Sequence, residues 1–309
     1  MTFLHIHIFL LSLAHFTLFL FGFRTMAVVS REVLKKYLMT KLTYDGKMTV
    51  PMTTLKDAGN ANFPEGKFET SETITRLVQP TDKMRVKEFM RDHYFTSAVV
   101  PAAIKLRETW PKYPFLDDEL DLMLDTPSCF MTVTKSPKDQ KLVGAKLSTI
   151  WLTDPDYEAF PVNPLDWLNL AGEIASTEED DPLFRTVIWR NFHWLLIYHL
   201  TQAVAQEKKC PFYLYGGIGF TLPEYRAGEK KGVPLFLNHG QVWADSQKSI
   251  FSFVGTYPGF EKLTHKALPG LFKRLAYVSY QDLTSVNLHT DKPEFVGLPD
   301  GMTLMVSQK

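Results

Sequence analysis

The sequence predicts one mixed α/β domain from residue 73 to the end of the chain, and three observations carry that prediction. Hydrophobic patterning switches repeatedly between period two and helical period, so strands and helices alternate rather than segregate. The 309 residues are 45% hydrophobic, enough for one large core. A tight turn, Ser136 to Gln140, joins two strand-like runs as a hairpin, so part of the sheet is antiparallel.

Taken in order, Ser30–Leu42 reads as a short amphipathic helix, and Thr43–Thr73 as an irregular arm rich in Thr, Gly, Pro and Asn. Ile74–Val78 is a strand. Asp82 offers an N-cap to a helix whose apolar residues are Met84, Val86, Phe89, Met90 and Tyr94. Asp117–Asp125 is a shorter helix. Ser128–Thr134 and Leu142–Leu152 are the hairpin strands. Asp154–Asp181 is polar and Pro-containing and reads as an insertion between elements. Pro182 at a first helical position opens a long helix, Phe184–Lys208, apolar nearly all round and therefore heavily buried. Pro211–Thr221 is a strand in which Gly216-Gly217 marks a bulge or a close backbone approach. A glycine- and lysine-containing loop, a helix over Val233–Ala244, a strand at Ser249–Thr256, a helix at Phe260–Lys266 and strands at Phe272–Ser279 and Met302–Ser307 complete the order.

Charge narrows the partners. Thirty-four basic and 34 acidic side chains cancel, which leaves no electrostatic reason to expect nucleic acid. Cys129 and Cys210 do not make a disulfide framework, consistent with a cytoplasmic body. Residues 1–25 are almost entirely apolar and long enough to span a bilayer, yet carry no basic flank before Arg24. Membrane anchor, cleaved signal, and extraneous extension ahead of a start at Met26 all remain open. Residues 26–72 then form the short helix and arm. His193 and His199 are six apart on one helix, which is not ligand spacing, and no metal site is expected. Trp189, Phe192, Trp194 and Tyr198 read first as core, with an acceptor-pocket wall as the alternative.

The chemistry concentrates in Tyr213–Leu237: strand, Pro223-Glu224-Tyr225-Arg226, a loop with Gly228 and Gly232, then a helix. Such a unit can aim backbone amides and a helix N-terminus at an anion, although strand–glycine–helix turns are also common as plain connections.

These residues resemble the N-acetyltransferase (GNAT) superfamily, and within it the invertebrate arylalkylamine N-acetyltransferase-like branch. That branch carries Pro-(Asp/Glu)-Tyr-Arg at this place. Ile74–Phe95 is similar to its first strand and helix, and Gly270-Leu271-Phe272 with Tyr280-Gln281-Asp282-Leu283 to its late Gly-Phe turn and ending. The resemblance covers Ile74–Lys309. It implies a mostly antiparallel sheet with one splayed parallel pair and helices on both faces. It implies acetyl-CoA as co-substrate, held by Phe220, Thr221 and Leu222 along the pantetheine and by Arg226, Gly228, Lys230, Lys231 and Gly232 around the pyrophosphate. Tyr257 would protonate the leaving thiolate; its other reading is an aromatic packed at a strand end. The acceptor would be a small-molecule amine, arylalkylamines among the candidates.

Two departures bear on activity. Glu229 stands where the family pattern has its first loop glycine, and Lys231 where it has Gly or Ala; Lys230 and Lys231 could offset the carboxylate as point charges. Val100 stands where the branch carries a glutamate before proline. Acetyl transfer needs a proton acceptor for the amine, and His93, Glu108 and Asp117 are the substitutes. A non-catalytic GNAT-like CoA-binding or scaffold protein is the competing expectation.

Overall fold

The computed structural model describes residues 32–36, 52–53, 67–98, 101–102, 106–109, 114–125, 129–136, 138–157, 163–177, 182–226, 240, 244–245, 248–256, 259–280 and 301–308. Among the described residues nine strands form one sheet: β1 (Met52–Thr53), β2 (Lys67–Glu69), β3 (Thr73–Leu77), β4 (Phe130–Thr134), β5 (Leu142–Leu152), β6 (Phe212–Thr221), β7 (Phe251–Gly255), β8 (Phe272–Ser279) and β9 (Gly301–Ser307). Their spatial order is β2-β3-β4-β5-β6-β7-β9-β8, with β1 also paired to β5. Every pairing is antiparallel except β6 with β7.

The helices are α1 (Lys83–Phe89), α2 (Leu106–Thr109), α3 (Pro114–Asp125), α4 (Pro164–Thr177), α5 (Pro182–Glu207) and α6 (Phe260–Ala267). Two apolar layers sandwich the sheet. On one face Val86, Phe89, Leu120, Met123, Ile174 and Trp194 pack on Val143, Leu147, Trp151 and Tyr215. On the other, Ala244 and Phe260 pack on Ile150, Leu214, Phe251, Phe253, Phe272 and Met305. Period-two alternation sends adjacent strand residues to opposite layers, so both faces of the sheet are buried and helices lie on both, as expected.

Three sequence expectations need correction. The arm over Thr43–Thr73 is not wholly irregular: β1 pairs Met52 with Trp151, and β2 pairs Lys67 with Arg76. The insertion Asp154–Asp181 contains a four-turn helix, α4, whose Trp167, Leu170, Ala171 and Ile174 are buried at helical spacing; its prolines and acids mask that period. The first helix is not uniform. After α1 the chain widens into a π turn, Met90–Tyr94, and finishes in Phe95–Ser97. Such turns insert a residue and rotate the side chains that follow.

The start of α1 is held by charge. Asp82 does not cap the helix forward. Its carboxylate takes two bonds from Arg76 of β3, at 2.5 and 2.9 Å, and one from the Gln79 amide at 2.9 Å. The Arg76 hydrogen bond is the largest reason its carboxyl sits below the usual aspartate range. A depressed carboxyl stabilises above its unfolded value, and that contribution is lost as pH falls through the folded one. Asp82→Asn is therefore expected to cost on the order of 1–2 kcal/mol at pH 7. The difference from the parent protein should shrink below about pH 4, read by chemical denaturation at both pH values.

Helix α5 has no solvent face along its middle: each residue from Trp194 to His199 is buried. It lies between the sheet and α4. Gln202 donates to the Leu152 carbonyl at 2.7 Å and accepts from the Asp154 amide at 3.1 Å, which ties the helix to the end of β5. His199 is a packed residue, its Nδ1 3.3 Å from the Tyr157 hydroxyl. Phe192, Trp194 and Tyr198 are core.

Candidate active site

The parallel pair β6/β7 is short. Leu214 pairs with Phe251, Tyr215 with Ser252 and Gly216 with Phe253, and there the pairing stops. Yet β6 runs on to Thr221 beside β5, and β7 to Gly255 beside β9. Two adjacent strands thus keep their outer partners and lose each other, and a cleft opens between them.

The cause is local. The β5/β6 register shifts between Leu147↔Ile218 and Thr149↔Tyr215, so β6 carries one residue too many at Gly216-Gly217. A bulge of this kind bends its strand and increases its twist. The glycine pair anticipated in the sequence is that bulge.

Beyond it, the ladder assigns direction to the backbone. The Leu222 amide donates to the Val143 carbonyl of β5 at 2.9 Å. Hydrogen-bonded pairs alternate along antiparallel strands, so Phe220 and Ile218 also face β5, while Gly219 and Thr221 turn their amides and carbonyls toward the cleft. The Thr221 carbonyl is already engaged by Arg226 Nε at 2.6 Å. Gly219 is exposed. One pair before the β6/β7 ladder ends, Ser252 is fully buried and its hydroxyl has no partner among the described residues.

Side chains line the opening. The Arg226 guanidinium lies 4.8 Å over the Phe220 ring. The other neighbours of that ring are His93, stacked at 6.2 Å with the planes 6° apart, and Phe89 at 6.2 Å. His93 belongs to the π turn, which delivers it to the cleft. The other two candidate bases are less suitable. Asp117 is committed to Arg91 at 3.1 Å and Lys87 at 3.4 Å, and Glu108 is an exposed residue of α2.

The overall fold is shared with solved proteins. No protein-family model and no curated protein matches the sequence. Among solved structures, the insect protein designated arylalkylamine N-acetyltransferase 7, from the yellow fever mosquito Aedes aegypti, superposes with a TM-score of 0.52 at 11% identity, over 83% of this chain and 98% of its own. Arylalkylamine N-acetyltransferase 2 from Aedes aegypti gives 0.51 at 13% identity, over 76% of this chain and 97% of its own. The chain shares the fold of these two proteins.

Within this fold, the residues expected from sequence divide into two groups. Phe220, Thr221, Leu222 and Arg226 come together at the cleft, although Phe220 and Leu222 direct their backbone toward β5. Gly228, Lys230, Lys231, Gly232 and Tyr257 lie outside the described residues, as do Glu229 and Val100. Gly270 has the left-handed φ of +72° that its Gly-Phe turn requires. Tyr280 is fully buried and donates to the Thr256 carbonyl at 2.7 Å.

The sequence reading missed two polar residues near the bulge. Glu119 of α3 is buried and contributes, after burial and Tyr94, to raising the Tyr215 hydroxyl above the ordinary tyrosine range. Lys146 of β5 pairs with Gly219. Its Nζ and Cε lie 3.1 and 3.2 Å from where a Cβ on Gly216 would sit, and its Cδ 2.8 Å from the same point on Gly219. Both glycines leave room for the lysine stem. Burial lowers its ammonium from the ordinary lysine value to about 8. The signal available in the sequence was a single charge within the apolar run Leu142–Leu152.

Proposed function

We propose that the chain binds acetyl-CoA in the cleft between β6 and β7 and transfers the acetyl group to a small-molecule amine. The single observation that carries this reading is the parting of the parallel pair immediately beyond the Gly216-Gly217 bulge. The residues fit a pantetheine arm. Gly219 offers an outward amide and carbonyl with no side chain in the way, and Ser252 supplies an unpaired buried hydroxyl. The two mosquito structures bear the name of arylalkylamine N-acetyltransferases, which supports an amine acceptor and makes arylalkylamines the first class to try.

Arg226, Gly228, Lys230, Lys231 and Gly232 are the proposed pyrophosphate contacts, Tyr257 the proposed donor to the thiolate, and His93 the favoured base. A neutral imidazole can accept the amine proton near pH 7. The same reading puts the protein in the cytoplasm, with residues 1–25 as the candidate membrane anchor. Among the described residues no helix is long and apolar enough to cross a membrane.

The test is a thermal-shift titration of the full chain with CoA and acetyl-CoA. A ligand that binds only the folded state raises its stability, by about 2.7 kcal/mol at a hundredfold excess over Kd. Arg226→Ala is expected to weaken binding about tenfold, equivalent to ~1.4 kcal/mol. No shift at millimolar ligand would remove the proposal. The departures at Glu229 and Val100 favour one second reading, a CoA-binding protein without turnover. CoA release above background with any amine of a broad panel would eliminate that reading.

A further inference from the structure

An amine held over the end of a β6/β7 pairing is placed where an acyl thioester would end. Lys146 is mostly withdrawn from solvent. Its stem follows the backbone of β6 from Gly219 to Gly216 instead of running outward to water, and Gly216 is the last β6 residue paired with β7. The side of Gly216 that Nζ occupies is shared with the Phe251 ring, 3.0 Å from the same Cβ point.

The surroundings leave this nitrogen without a counter-charge. The neighbours on β4, β6 and β7 are Phe130, the two glycines and Phe251. Cys129, just ahead of β4, is the only titratable group among the described residues that acts on it. Burial pushes that thiol up to about 12, so it is neutral. No carboxylate and no hydrogen-bond acceptor among the described residues meets Nζ. A lysine held for charge alone would be expected to have a partner, whereas an unpartnered, desolvated lysine is a nucleophile.

We propose that Lys146 is a self-acylation site, taking the acetyl group from acetyl-CoA bound in the cleft. This rests on the acetyl-CoA reading above. Neutral Nζ attacks the thioester carbonyl carbon, the new C–N bond forms as the C–S bond breaks, and CoA leaves as a thiolate. The proton lost by nitrogen ends on that thiolate, giving an acetyl-lysine amide and CoA thiol with no other reactant. The product is uncharged, so the modification also removes the one unpaired ammonium at the bulge. With its value near 8, a useful fraction of the amine is neutral at physiological pH.

The experiment incubates the full-length wild-type protein with acetyl-CoA and follows each lysine by peptide mass spectrometry, with a parallel thermal-shift measurement. Lys146 should gain one acetyl group at least tenfold faster than the exposed Lys138. The rate should climb as pH rises from 7 to 9, and excess CoA should suppress it. Lys146→Arg should lose the label while keeping the acetyl-CoA thermal shift; mapping of the wild type stands independently if that variant does not fold. A thermal shift without preferential labelling of Lys146 overturns self-acylation alone. Labelling that CoA fails to suppress overturns the cleft as its origin. Neither shift nor label overturns this inference and the acetyl-CoA reading together.

Discussion

Trp151→Ala is expected to destabilise the protein by about 4 kcal/mol, the range found when a large buried aromatic is deleted and the cavity only partly collapses. Trp151 is fully buried near the end of β5. Its ring contacts four others, with centroids 4.8 Å from Tyr215, 5.5 Å from Trp194, 5.8 Å from Tyr213 and 6.0 Å from Tyr198. Its indole nitrogen donates to Thr149 Oγ1 at 2.7 Å. The ring therefore joins three elements, β5, β6 and α5, and truncation leaves a void that no neighbour can fill without moving a strand. Two of its partners, Tyr213 and Tyr215, immediately precede the bulge, so any acetyl-CoA thermal shift should fall as well. Against a typical total of about 5–15 kcal/mol, the loss should appear as a large drop in the denaturant midpoint. Leu152→Ala is the control. That side chain is exposed at the end of the same strand, and a surface change should stay within about 0.5 kcal/mol. Equal losses from the two substitutions would refute the assignment of Trp151 as the joint of this layer.

Lys146→Met is expected to do the opposite and raise stability at pH 7, by about 2 kcal/mol, a figure reduced from the full shift because the side chain keeps some solvent contact. The sign follows from the protons bound by each state. In the folded protein the ammonium loses its proton near 8, while in the unfolded chain it keeps it to about 10.4. Below 8 the folded state carries the whole cost of a desolvated charge. Between the two values the unfolded state binds more protons, so the parent protein gains stability as pH rises. Methionine has the same unbranched reach and no charge. Its advantage should be full at pH 7 and nearly gone above about pH 10, measured as the difference in unfolding free energy across that range. A methionine variant less stable than the parent at pH 7, or an advantage that does not change with pH, would contradict the environment assigned to Lys146. A residue that lowers stability where an apolar one would raise it is characteristic of a position kept for function.

The elements that were legible in the sequence are those whose pattern is local. Leu142–Leu152 and Phe272–Ser279 have in the structure the bounds read from their alternation, and the long buried helix begins at the proline that signals it. Helix α4 was not legible because Pro164 and the acids around it resemble a loop, and Trp167, Leu170 and Ile174 gain meaning only when α5 lies beneath them. Strand β2 is three residues long, and no periodicity can be established over so short a run. Gly216-Gly217 was readable as a bulge or close approach, but a glycine pair does not state which neighbour a strand will leave.

Order, charge balance, the glycine-bearing strand ahead of Pro-Glu-Tyr-Arg, and the departures at Glu229 and Val100 were determined by the sequence alone, because each is a property of neighbouring residues. The separation of β6 from β7, the union of His93 with Phe220, the commitment of Asp117 to Lys87 and Arg91, and the withdrawal of Lys146 over two glycines were decided only by tertiary structure. Each joins residues distant in the chain, and both the register of a sheet and the desolvation of a charge exist only once those distant segments are packed together.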